Sequence, residues 1–134
     1  MPENRTALMQ YRYAAAKERI DSSQILFDAG NYKDSIGRSY YAMFSAVRAL
    51  LAVEGKDFAR HSGVISYFQK EYVKTGKFDV KFSKYISQAF QIRNNTDYTD
   101  FYVVSQEDAK EQLDKAREFV EAVGVYLKIE DGSV

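Results

Sequence analysis

Residues 31–55, NYKDSIGRSYYAMFSAVRALLAVEG, admit one secondary structure and suggest one role for it. Ile36, Tyr40, Phe44, Val47 and Leu51 fall at spacings of 4, 4, 3 and 4, which puts them on one stripe of a helix. Tyr41, Ala42, Met43, Ala46 and Leu50 widen the stripe toward other faces, and a helix that is apolar on several sides needs neighbours on several sides. Gly30 before it and Gly55 after it can take the left-handed conformation that ends a helix. The segment is therefore predicted to be the central helix of a bundle.

The flanking sequence supplies the neighbours. Residues 5–29 read as a first helix, with Leu8, Tyr11, Ala15, Ser22, Ile25 and Ala29 in one stripe and a middle weakened by Asp21, Ser22 and Ser23. The link Gly30-Asn31-Tyr32 is so short that this helix and the central one should pack antiparallel. A third helix is expected from about Ser62, through Val64, Ile65, Phe68 and Tyr72, to a stop at Gly76. A fourth runs from about Asp79 to Asn95, with Phe82, Ile86, Ala89, Phe90 and Arg93 on one side. Residues 96–104, TDYTDFYVV, break the pattern and read as an ordered loop.

Ser105 then opens SQED, a Ser-x-x-acid capping signature, and Ala109, Leu113, Ala116, Val120, Val123 and Leu127 follow at spacings of 4, 3, 4, 3 and 4. Glu107, Asp108 and Glu111 sit in the first turns, where the positive end of the helix dipole favours acids. The only proline is Pro2, no segment alternates for long at period two, and no repeat is present. The expected fold is all-α, an up-and-down bundle of four long helices plus a shorter helix. With 134 residues, 46% of them hydrophobic, residues 1–134 suit a single domain.

Charge and residue usage remove several functional classes. Nineteen basic and nineteen acidic residues cancel, so bulk charge does not support a non-specific polyanion binder. The distribution is uneven: residues 56–84 hold Lys56, Arg60, Lys70, Lys74, Lys77, Lys81 and Lys84 against three acids, whereas residues 97–134 carry ten acids against four bases. A basic and an acidic side are expected. The absence of cysteine excludes disulfides, thiolate metal sites and a thiol nucleophile. No signal-like core and no run near ~18 apolar residues is present, so the expectation is a cytoplasmic protein that does not enter a membrane.

No GxGxxG, GxxxxGK[ST] or GxSxG motif occurs. His61 is the only histidine, which excludes metal sites built from several imidazoles and leaves it as a structural or capping residue at a helix start. The acids fall mostly on polar helix faces, so no metal and no cofactor is expected. Arg93 stands apart. It follows Phe90, Ala89 and Ile86 by three, four and seven residues, on the apolar stripe of the fourth helix. A cation there needs partners, because an unpaired buried charge costs several kcal/mol. Asp97 lies one turn on, and two readings stay open: an internal salt bridge locking the fourth helix to the following loop, or a guanidinium that lines a cleft and binds phosphate in fork geometry beside Asp97 and Tyr98.

The central helix with its tandem Tyr40-Tyr41-Ala42, the later RHSGVISYFQKEYVKTG and the segment QIRNNTDYTDF together resemble the HEPN family, in particular its small stand-alone bacterial and archaeal members. The likeness runs from about residue 10 to about residue 125. It implies a helical bundle paired as a symmetric homodimer. Many HEPN proteins are metal-independent endoribonucleases whose motif is an arginine followed, after four to six residues, by a histidine at the dimer cleft. Others are partners of a minimal nucleotidyltransferase in toxin–antitoxin pairs. Arg93 matches the arginine of the motif, but Tyr98, Thr99 and Asp100 occupy the histidine positions.

That departure bears on chemistry. Cleaving RNA through its 2′-hydroxyl needs a base, an acid and a cation for the developing charge. Arg93 can supply the cation. Phenols titrate near ~10 and carboxyls near ~4, so tyrosine and aspartate are poor proton shuttles at neutral pH. His61 could substitute only if the start of the third helix lies beside the end of the fourth. Catalytic candidates are thus Arg93, Asp97 and Tyr98, and ligand-binding candidates are Tyr40, Tyr41, His61 and Arg93. Three readings follow: a homodimeric binding module acting with a nucleotidyltransferase partner, a ribonuclease with a degenerate motif, and a pocket for a nucleotide. The eleven tyrosines suit either base stacking or a dimer interface.

Overall fold

The structure, a computed structural model, describes residues 3–129. Helices α1 (Glu3–Asp28) and α2 (Tyr32–Glu54) form an antiparallel hairpin. Gly30, at φ 81°, makes the turn, where its N–H donates to the Phe27 carbonyl at 3.0 Å and that of Asn31 to Leu26 at 2.8 Å. Gly55, at φ 69°, closes the far end of α2 by donating to the Ala52 carbonyl at 3.1 Å. A short α3 (His61–Phe68) runs into a π-helical turn (Gln69–Val73), and α4 (Val80–Tyr98) and α5 (Gln106–Leu127) complete an all-α, up-and-down bundle.

The central helix is central in fact. α2 packs against α1, α3, α4 and α5, and Ile36, Tyr40, Phe44, Val47 and Leu51 are all buried along with Met43 and Leu50. Burying a leucine of that kind contributes about 1.5–3 kcal/mol. Leu51→Ala would cost about 2–5 kcal/mol, because close-packed neighbours on four sides cannot collapse into the hole. The capping box of α5 forms as its signature implies: the Asp108 N–H donates to Ser105 Oγ at 3.0 Å and the Ser105 N–H to Asp108 Oδ2 at 3.3 Å.

Helix α1 departs from expectation. Its buried residues are Met9, Tyr13, Ala16, Ile20 and Ser23, while Leu8, Tyr11, Ile25 and Ala29 are exposed. Both sets recur at helical spacing about one residue apart, so periodicity alone cannot choose between them. Contacts with α5 and α2 decide. The Tyr13 hydroxyl donates to the Val120 carbonyl at 3.1 Å, and Ser23 Oγ donates to the Ser35 carbonyl at 2.8 Å and lies 2.8 Å from Ser39 Oγ. Ser23, which weakens α1 as an isolated helix, thus joins it to α2.

Two boundaries also differ. The π-helical turn interrupts the third helix, and α4 continues through Thr96, Asp97 and Tyr98, residues expected in a loop. Thr96 is buried and its Oγ1 donates to the Arg93 carbonyl at 2.9 Å, while Asp97 pairs with Arg93, so a further turn is held from inside. The basic and acidic stretches touch where Lys81 forms an ion pair with Glu118. No helix among the described residues is long and apolar enough to cross a membrane.

Candidate functional site

Arg93 projects from the second half of α4 toward the tyrosine pair of α2. Its Nε lies 2.9 Å from Asp97 Oδ2 and its Nη2 donates to the Tyr41 hydroxyl at 2.9 Å. The guanidinium carbon sits 5.2 Å from the Tyr41 ring centre and 5.8 Å from that of Tyr40, both within cation–π range. Of the five N–H donors of a guanidinium, two are engaged in this way, which leaves three. The side chain is 19% exposed, at the edge of a groove of about 400 Å³ lined by Lys33, Asp34, Arg38, Tyr41 and Asp97 among others. Asp97 lies within α4 itself, so the ion pair does not fasten the helix to the loop as one reading held.

Tyr40 and Tyr41 are successive residues of a helix and diverge by about 100°. Tyr41 faces the groove, whereas Tyr40 is 1% exposed and lies beneath it. Tyr40 therefore lies under the wall of the groove, against other residues of the cluster, and not at the groove's surface. Its hydroxyl lies 2.8 Å from Nδ1 of His61, the first residue of α3. The imidazole stacks on Phe44 at 4.0 Å between ring centres and meets Tyr41 edge to face at 5.9 Å. Fold closure therefore brings the start of α3 to the Arg93 cluster, the condition under which His61 could take part.

The electrostatics fix the state of this pair. Burial, assisted by Arg93 and Arg48, lowers the His61 pKa, and burial raises that of Tyr40, so phenol and imidazole are both neutral near neutral pH. The Tyr40 hydroxyl and Nδ1 therefore share a hydrogen bond between neutral groups, in which the imidazole tautomer sets which of the two donates.

The structure brings Tyr40, Tyr41, His61, Arg93 and Asp97 together. It does not bring Tyr98, the last residue of α4, which is 78% exposed and is turned by the helix about 100° from Asp97. Phe44 and Phe90 complete the cluster from below, with Phe90 5.8 Å from the Tyr40 ring. Sequence reading placed both in core stripes, and their positions four after Tyr40 and three before Arg93 were the available signal. Among the described residues no group of three His, Asp or Glu side chains could hold a metal ion. The arrangement offers donors for an anion, a ring beside them, and one neutral imidazole.

Comparison with known proteins places the chain in a family. The family model described as HEPN domain matches residues 9–127. The chain is 33% identical to a UPF0332 protein of Thermotoga maritima over 116 residues, 87% of this chain and 88% of that one. It is 31% identical over 131 residues to a Methanocaldococcus jannaschii protein named "Putative toxin MJ0142", covering 92% of this chain and 89% of that one. A second protein of that organism, "Putative toxin MJ0605", is 30% identical over 113 residues, 84% of each chain. With the match running from within α1 to the end of α5, the chain belongs to the HEPN domain family.

Proposed function

We propose that this chain is a paired HEPN module that binds a phosphate-bearing nucleotide or single-stranded RNA at Arg93, beside a nucleotidyltransferase-type partner in a toxin–antitoxin arrangement. The observation that carries the reading is the state of Arg93: ring-flanked, oriented by Asp97 and Tyr41, and left with donors facing a groove. A planar cation held in this way suits a phosphate accepted in fork geometry, and Tyr41 offers a face to a base. The two relatives with toxin in their names support the toxin side of the arrangement. Exposed Tyr98, Phe101 and Val103, just beyond Asp97, give a second copy an apolar surface beside the groove.

The test is binding of AMP and of a fluorescent oligoribonucleotide, with light scattering for the pairing and co-purification with the product of an adjacent nucleotidyltransferase frame. Arg93→Ala should lose binding while the circular dichroism spectrum stays helical, and equal affinity in the variant would remove the reading. Monomeric mass, or failure to co-purify, would remove the paired and partnered parts.

One observation favours ribonuclease activity as a second reading: His61 lies in the same cluster as Arg93. Excess protein cutting mixed RNA in EDTA, with loss in both Arg93→Ala and His61→Ala, would replace the binding module by an enzyme. An intact RNA pool would dispose of the enzyme.

A further inference from the structure

A second basic point lies on the same stripe of α2. Arg12 of α1 donates through Nη1 to the Arg48 carbonyl at 3.0 Å and through Nη2 to Asp57 Oδ2 at 3.3 Å. Arg48 donates to the same Asp57 oxygen at 3.0 Å. Two guanidiniums share one carboxylate oxygen, and the other oxygen of Asp57 takes the Phe58 N–H at 2.9 Å. The trio carries one uncompensated positive charge. Arg12 is the inner member of the trio: its side chain is only 13% exposed, and burial, then Arg48, lowers its pKa.

The charge is beside a groove. A space of about 550 Å³ between α1 and α2 is lined by Arg12, Arg19, Ser45, Arg48 and Glu18 and rimmed by Tyr11, which is 75% exposed. Three arginines meet one glutamate there. Arg38, Tyr41, Ser45 and Arg48 follow one another along α2 at spacings of 3, 4 and 3, so this groove and the Arg93 groove are two stations on one strip of helix surface. Tyr41 and Arg48 are seven residues apart, about 10 Å at a rise of ~1.5 Å per residue. That is a distance which a single strand of a few nucleotides can span. His61 lies within electrostatic reach of both ends, since Arg93 and Arg48 each act on it.

We propose that Arg48 and Arg12, over Asp57, form a second phosphate-binding point, and that a single strand of RNA running along α2 from Arg93 to Arg48 is the ligand this surface selects over a mononucleotide. The proposal rests on the Arg93 reading for its first contact and adds the second. Tyr41 and Tyr11 present ring faces along the path, which a strand with unstacked bases can use and a duplex cannot. One phosphate fills one point only, whereas a strand of several nucleotides fills both and releases more counterions.

The test uses the intact protein, a labelled twelve-nucleotide oligo(U) and AMP as competitor, with affinity measured by fluorescence anisotropy across a salt series. Arg48→Gln should weaken the oligonucleotide about tenfold, lower its log–log salt slope by about one and weaken AMP far less, since Arg93 still holds a single phosphate. Asp57→Asn, which releases both guanidiniums, should tighten the oligonucleotide. Wild-type affinity and slope in Arg48→Gln would overturn the inference, and so would weakening by Asp57→Asn to the same extent as by Arg48→Gln, the mark of a structural trio. Loss of binding in Arg93→Ala but not in Arg48→Gln overturns the second point and spares the Arg93 reading. Loss in Arg48→Gln with full binding in Arg93→Ala overturns the Arg93 reading and the two-point strand together.

Discussion

The Tyr40 hydroxyl lies 2.8 Å from Nδ1 of His61, so a residue in the middle of the central helix holds the first residue of α3. That bond orients the one imidazole of the chain beside Arg93. Tyr40→Phe should leave Nδ1 without its hydrogen-bond partner and cost about 1 kcal/mol in urea unfolding. It should also shift the imidazole nitrogen resonances of His61 toward a mixture of tautomers. Unchanged resonances would mean that the bond does not set the ring.

The protonation of His61 makes stability depend on pH. Burial, with Arg93 and Arg48, lowers its pKa from 6.5, so on acidification the unfolded chain takes up this proton before the folded one does. The stabilisation is fully present above about pH 6.5 and is lost as pH falls from there toward the lower folded-state value. The Tm should fall between about pH 7 and about pH 5, and fall less in His61→Gln. Parallel curves for the two proteins would contradict this.

Asp97 and Arg93 form a pair one turn apart whose acid side chain is 44% exposed. Such pairs contribute about 0.3–0.5 kcal/mol. Asp97→Asn should therefore change the unfolding free energy by less than about 1 kcal/mol, while freeing a further guanidinium donor and altering AMP affinity. A loss of several kcal/mol would make the pair a structural lock.

Glu54, at the end of α2, accepts the Tyr67 hydroxyl at 2.6 Å and that of Tyr72, which is 4% exposed. Burial works to raise the Glu54 pKa, but the two phenols with Lys56 and Lys77 outweigh it, and the net direction is down. Glu54→Ala should cost about 2 kcal/mol, because the Tyr72 hydroxyl is left buried without an acceptor. Adding Tyr72→Phe should recover part of the loss. The wild-type contribution is present above the unfolded-state value of 4.5 and fades as pH falls below it.

Gly124 in α5 lies against Tyr13. A Cβ there would strike the Tyr13 hydroxyl and come 2.9 Å from its Cζ. Alanine is about 1 kcal/mol better than glycine in a helix interior, yet Gly124→Ala should destabilise by about 1–3 kcal/mol, since a buried ring must move. A higher Tm in the variant would show that the α1–α5 contact is loose.

Much of the fold was legible because its determinants are local. Gly30, Gly55 and the Ser105 box mark helix ends through backbone conformation and capping within a few residues, and the stripe of α2 needs no partner to be read. The facing of α1 was not legible, since Leu8, Tyr11 and Ile25 repeat as regularly as Met9, Tyr13 and Ile20. Nor was the last turn of α4, which depends on Thr96 being buried and bonded to the Arg93 carbonyl.

For the site, the sequence by itself determined that Arg93 is anomalous, a cation on an apolar stripe, and that Asp97 stands one turn away to meet it. Both facts follow from helix period. Only the tertiary structure decided that Tyr41, 52 residues earlier, receives the guanidinium, that Tyr40 reaches His61 across 21 residues, and that Tyr98 is left outside. Those contacts arise where α2, α3 and α4 pack together, and spacing along a chain carries no information about which turns of separate helices will meet.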